Sequence, residues 1–182
     1  MNVLIISGSM SYPSHTFSLC QNMNDILLER GCDVNLVDLR QVSLPICNPV
    51  YHHDPMSNPN AAAKEFVTKA QQADAFVWGT PNYHNSFSGV LKNALDLLNI
   101  QQLKNKPIGL VAHGGGIRSV QPLDQLRIVA RGLLGVAIPI QIATCNDDYS
   151  LQGSEYQIVE SAIQSRIHAF IDQLIYFAEK LS

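Results

Sequence analysis

The sequence contains no apolar run that approaches the roughly 20 residues a membrane-spanning helix needs. Its opening apolar stretch, residues 1–6, is cut short by the polar residues 7–11, and no basic segment precedes it. A cytoplasmic protein with no membrane association is therefore expected. Paired cysteines are missing too. Cys20, Cys32, Cys47 and Cys145 stand far apart with no Cys-x-x-Cys spacing, so reduced thiols are favoured over disulfides or a metal site. Strong charge of either sign is absent. The formal net charge of −3 gives no basic footprint for nucleic acid, and it is far from the acidity of an electrostatically docked electron carrier. No Gly-x-Gly-x-x-Gly run and no Gly-Lys-Ser/Thr loop occur, which argues against a dinucleotide fingerprint and a triphosphate-binding loop. His113-Gly114-Gly115-Gly116 looks like a hydrolase oxyanion loop, but the Gly-x-Ser-x-Gly nucleophile elbow that must accompany it is lacking.

What is present suits one globular domain over residues 1–182, with 46% hydrophobic and 15% charged residues. Five β-like runs, at 3–7, 33–37, 75–79, 108–112 and 137–142, alternate with helix-like segments at 17–30, 61–72, 88–98, 120–134 and 154–181. Several of the runs are almost continuously apolar, as strands covered on both faces must be. The helical segments repeat apolar residues at spacings of three and four; Ile163, Ile167, Phe170, Ile171 and Leu174 are an example. Gly31 stands where a helix C-cap glycine would. Strict alternation argues for an α/β fold with right-handed crossovers. The economical form is a flavodoxin-like doubly wound five-stranded parallel sheet in the order 2-1-3-4-5. Its ligand crevice should open at the carboxyl ends of strands 1 and 3.

That rule singles out three loops. The first, residues 8–16, carries Ser9, Ser11, Ser14 and Thr16 just before a helix. Its hydroxyls and the free N–H groups of the helix start suit a phosphate, although a plain loop capped by Ser14 or Thr16 reads equally well. His15 is its single basic candidate. The second, residues 80–89, offers Pro81, Asn82, Tyr83, His84 and Asn85, an aromatic face with amide groups such as a flat heteroaromatic ring wants; taken alone it reads better as a polar connection to the next helix. The third, residues 113–119, lets its backbone approach a ligand through Gly114, Gly115 and Gly116.

The same residues resemble the NAD(P)H-dependent FMN reductases of the flavodoxin-like superfamily. Members carry Gly-Ser-x-Arg-x-x-Ser after strand 1, where this chain has Gly8-Ser9-Met10-Ser11-Tyr12-Pro13-Ser14, with Ser11 in place of the Arg. After strand 3, Pro81, Tyr83, Gly89, Leu91, Lys92, Asn93 and Asp96 fit a long family motif in place, and Gly115-Gly116 match its paired glycines. The resemblance implies an oxidoreductase that takes hydride from NADPH or NADH onto FMN and passes it to a flavin, quinone or similar small acceptor. A flavin-binding redox carrier or sensor without turnover is the alternative. It implies that Ser9, Ser11, Ser14, His15 and Thr16 hold the FMN phosphate, and that Pro81, Asn82, Tyr83, His84 and Asn85 edge the isoalloxazine. Gly114, Gly115 and Gly116 would line its pyrimidine side, with no general base. Family habit implies a homodimer or homotetramer.

Other features have plainer readings. His52-His53-Asp54 lies in a proline-punctuated connection over residues 39–60, and it reads as solvated loop rather than metal site. The connection itself, too long for a simple linker, reads as a rim or interface element. Arg118 faces either a nucleotide phosphate or solvent, and Trp78 belongs to the core.

Overall fold

The computed structural model describes residues 1–181. Four strands form where the apolar runs predict them: β1 (Asn2–Ser7), β2 (Asp33–Asp38), β3 (Ala75–Pro81) and β4 (Pro107–His113). They pair in parallel in the order β2-β1-β3-β4, and a fifth position follows β4. That is the expected doubly wound, flavodoxin-like order. Successive side chains on a strand point to opposite faces, and the core divides accordingly. Leu4, Ile6, Phe76, Trp78, Ile108 and Leu110 pack against one set of helices, while Val3, Ile5, Ala75, Val77 and Val111 pack against the other. Trp78 is fully buried, as a core residue should be.

The first face is covered by α2 (Ala61–Gln72), α3 (Gly89–Asp96), the short α4 (Ile100–Leu103) and α5 (Gln121–Gly132). The second is covered by α1 (His15–Glu29) and α6 (Ser161–Leu181). A Cβ on Gly109 would sit 2.2 Å from Phe170 Cζ, so α6 can lie close on β4 only because that strand has no side chain there. Helix α1 starts on Ser14, whose Oγ accepts from Phe17 N–H at 3.1 Å. It stops at Gly31, whose φ of +77° favours glycine.

Two expectations need correcting. The fifth strand, expected over 137–142, is broken into β5 (Val136–Ala137) and β6 (Ile142–Thr144), and both pair with β4. Pro139 has no N–H to donate to a ladder, and the interrupted backbone is satisfied by side chains instead. Arg127 donates to the carbonyls of Ile138 at 2.9 Å and Pro139 at 3.1 Å, and Ile140 N–H donates to Gln173 Oε1 at 2.7 Å. The last helix does not begin at 154. Residues before it form an antiparallel hairpin of β7 (Tyr149–Gln152) and β8 (Glu155–Ile158), turned at Gly153 with φ +63°.

The connection over 39–60 folds onto α3 through a residue of the family motif. Asn93 accepts from Cys47 N–H and donates to the Pro45 carbonyl, both at 2.9 Å. No group of three or more potential metal ligands occurs among the described residues, and that includes His52 and His53.

Candidate functional site

The carboxyl ends of β1, β3 and β4 surround a cavity of about 170 Å³. It is lined by Ser9, Ser11, Ser14, His15 and Thr16 from the first loop, Pro81, Asn82 and Tyr83 from the second, and His113, Gly114 and Gly115 from the third. The three loops singled out by the switch-point rule therefore meet. His84, Asn85 and Gly116 lie outside this lining, and His113 is an addition that the sequence did not nominate.

The first loop is a cup with unspent donors. Ser9 Oγ accepts from Ser11 N–H at 3.2 Å, and Ser14 Oγ is occupied as an acceptor in capping α1. A hydroxyl that accepts in this way keeps its own proton to donate. The N–H groups of His15 and Thr16, in the first turn of α1, have no intrahelical acceptor, and the helix end carries partial positive charge. Arg40 lies nearby but is not part of the cup. Its guanidinium pairs with Asp38 at 2.6 Å and donates to the Ser11 carbonyl at 3.0 Å. Arg40, so engaged, brings no free cation to the cup.

The other two loops form a wall tied together by hydrogen bonds. Asn82 N–H donates to the His113 carbonyl at 2.8 Å, and Gly114 N–H donates to the Thr144 carbonyl at 2.8 Å. Asn82 Nδ2 donates to Ser119 Oγ at 2.9 Å, while the buried Asn82 Oδ1 has no partner among the described residues. Tyr83 and Ser86 exchange both backbone hydrogen bonds, 2.9 and 3.0 Å, around a two-residue turn. Its apex residues, His84 with φ +53° and Asn85 with φ +63°, are both left-handed and solvent-exposed, as a type I′ hairpin turn requires. Gln125 of α5 clamps this turn by accepting from Ser86 Oγ at 2.6 Å and donating to the Asn85 carbonyl at 2.8 Å. Ser88 Oγ caps α3 and donates to the Gly8 carbonyl at 2.5 Å, which joins the wall to the cup.

Behind the cavity, Arg118 makes a two-pronged ion pair with the buried Asp148. Burial opposes the charge on Asp148, but the guanidinium and the Cys145 N–H hold its carboxyl below the ordinary range. Arg118 is thereby committed to anchoring the glycine loop. Lys92 and Asp96 form a half-exposed pair on α3 at 2.6 Å.

An α/β sheet with a phosphate-type cup and a ring-type wall at its switch point defines a flavodoxin-like cofactor domain. The donor set fits FMN: hydroxyls and N–H groups for a phosphate at one end, and an aromatic side chain, glycine backbone and an orphaned acceptor for a flat ring at the other. Residues 1–148 match the family model described as NADPH-dependent FMN reductase, and the chain belongs to that family. Among curated proteins, an FMN-dependent NADPH-azoreductase of Staphylococcus saprophyticus is 40% identical, covering 98% of this chain and 96% of its own length. One of Staphylococcus aureus is 38% identical, over 97% and 95%. The apo crystal structure of an NADH:FMN oxidoreductase superposes with a TM-score of 0.75 at 27% identity, covering all of this chain and 90% of that one. Family membership makes this protein an NAD(P)H-dependent flavin oxidoreductase with FMN as its cofactor.

Proposed function

We propose that the cavity over β1, β3 and β4 is the FMN site, and that the protein reduces small aromatic acceptors such as azo compounds, quinones or free flavins with NADPH or NADH. The observation that carries this reading is the convergence of the cup and the wall on one cavity. Ser9, Ser11, Ser14, His15 and Thr16 take the phosphate. Pro81, Asn82 and Tyr83 edge the isoalloxazine, Asn82 Oδ1 is a free acceptor for a ring N–H, and Gly114 and Gly115 follow the pyrimidine side. His84, Asn85 and Gly116 belong to the exposed rim. When bound, FMN supplies the hydride chemistry itself; the protein orients the ring and holds its phosphate.

About 170 Å³ is less than the roughly 300 Å³ of a pocket that encloses a whole ligand. The residues clasp the phosphate end and one ring edge, and they leave a face open to a nicotinamide and then to an acceptor. Exposed Ile46, Val50, Ile117 and Ile128 supply apolar surface for a homodimer or homotetramer. Four free thiols suit the cytoplasm, and the 182 residues act as a single domain. Titration of the full chain with FMN, then anaerobic NADPH, tests the proposal through the visible flavin band. Binding followed by rapid bleaching is expected. Binding without bleaching by either nicotinamide would make the protein a carrier or sensor, and no binding would overturn the site assignment.

A further inference from the structure

His15 and His113 stack face to face, with ring centroids 4.0 Å apart and planes 4° from parallel. On its other face His15 stacks on Tyr156 at 3.5 Å, and Tyr149 packs edge-on at 4.9 Å. Tyr149 and Tyr156 belong to the β7–β8 hairpin, essentially beyond the 1–148 span of the family match, so the hairpin clamps the cup from outside.

The two imidazoles are wired differently. His113 Nε2 lies 3.1 Å from Asn146 Oδ1, and its Nδ1 lies 3.2 Å from Thr144 Oγ1. Tyr149 O–H donates to Thr144 Oγ1 at 3.0 Å, and the Thr144 hydroxyl, which also reaches His113 Nδ1, donates to the Ala112 carbonyl at 3.3 Å. The amide oxygen of Asn146 is an acceptor for Nε2–H. Burial together with the neighbouring His15 pushes the His113 pKa down to about 4, which keeps the ring neutral near pH 7. His15, by contrast, has neither ring nitrogen bonded to any described residue, and it lines the cavity beside the hydroxyls. Burial lowers its pKa as well. The ionisable groups packed around it are His113 from β4, Tyr149 from β7 and Tyr156 from β8. Asp148 and Arg118, beyond them, are paired with each other.

We propose that His15 is the cup's switchable cation: it is neutral in the flavin-free protein and takes up a solvent proton when the dianionic phosphate of FMN enters. The π faces on either side suit an imidazolium, and the buried, neutral His113 keeps a second charge from forming 4.0 Å away. A phosphate supplies the opposite charge that favours the protonated ring. A cation present only with its ligand thereby supplies the positive charge that the cup's hydroxyls lack. This rests on the cup being the FMN-phosphate site.

Calorimetric titration of the full, flavin-free chain at pH 8, in two buffers of different ionisation enthalpy, counts the protons taken up. The phosphate, with a second pKa near 6, is already a dianion there. FMN binding is expected to take up more than about half a proton per site, and riboflavin none; that contrast needs no variant. His15→Gln is expected to abolish the uptake and to narrow the FMN-over-riboflavin preference roughly tenfold, as loss of one charge-assisted hydrogen bond does. FMN binding with no proton uptake, or with uptake unchanged in His15→Gln, overturns the proposal while leaving the FMN site intact. Failure of the wild type to bind FMN overturns the site reading itself.

Discussion

The cup and the wall of the cavity are built on opposite principles. In the wall, Asn82 Oδ1 apart, backbone and side-chain groups are spent on one another: Asn82 on His113 and Ser119, Gln125 on Ser86 and Asn85, Gly114 on Thr144. In the cup, the hydroxyl protons, the first N–H groups of α1 and both nitrogens of His15 are left over. Spent groups fix geometry, which a ring-edge contact needs, and free groups supply affinity, which a phosphate needs. Changes in the wall should therefore be read first in stability, and changes in the cup first in cofactor affinity.

The largest effect is expected where the two regions touch. His113 has a folded pKa of about 4, below the unfolded value near 6.5. The neutral ring therefore stabilises the fold fully above about pH 6.5, and that stability is lost as pH falls from there toward 4, amounting to roughly 3 kcal/mol. Urea denaturation of wild type and His113→Gln at pH 7.5 and 4.5 measures it. The variant should lose markedly less stability on acidification, and parallel losses would show that His113 is not held neutral. Next comes Ser88, which caps α3 and bonds the Gly8 carbonyl. Ser88→Ala should cost about 2 kcal/mol, a cap plus a buried hydrogen bond. If the wall only positions, FMN affinity should fall less than the stability does.

This division was only partly visible in the sequence. Strand order, the two helical covers and the meeting of three loops follow from apolar runs alternating with helical periodicity, because those patterns are local and the switch-point rule does the rest. His113 could not be nominated, since its role depends on Thr144, Asn146 and Tyr149, some 30 residues away. The hairpin was legible in principle: Tyr149-Ser150-Leu151-Gln152 and Glu155-Tyr156-Gln157-Ile158 alternate around Gly153-Ser154, a recognised two-residue turn. Its last strand runs almost directly into α6, which hid it. Pro139 carried the warning that the fifth strand would break.

Ser14 tests the cup from within. Its Oγ caps α1, so Ser14→Ala should cost about 1 kcal/mol of stability, and it also removes a hydroxyl that the proposed FMN site assigns to the phosphate. FMN affinity should fall about tenfold, with riboflavin affinity nearly unaffected. Equal losses for both ligands would mean that the cup does not hold a phosphate, and that its hydroxyls serve the helix alone.

The smallest effect runs the other way and separates structure from contact at the wall's rim. His84 holds φ +53° at the apex of the Tyr83–Ser86 turn, a conformation that costs an ordinary L residue about 1–2 kcal/mol. Glycine there carries no such strain but surrenders roughly 0.5–1 kcal/mol of unfolded-chain freedom, which leaves a net gain of up to about 1 kcal/mol. In a chain of this size that raises Tm by about 2–4 °C, readable by thermal melting of His84→Gly without cofactor. Asn85→Gly should gain less, because Asn tolerates the left-handed region. The exposed imidazole lies outside the cavity lining, so a rise in Tm with less than about a threefold change in FMN affinity, below one hydrogen bond's worth, would assign His84 to the turn. A rise in Tm with a larger loss of affinity would show that the strain is retained because the ring contacts the flavin.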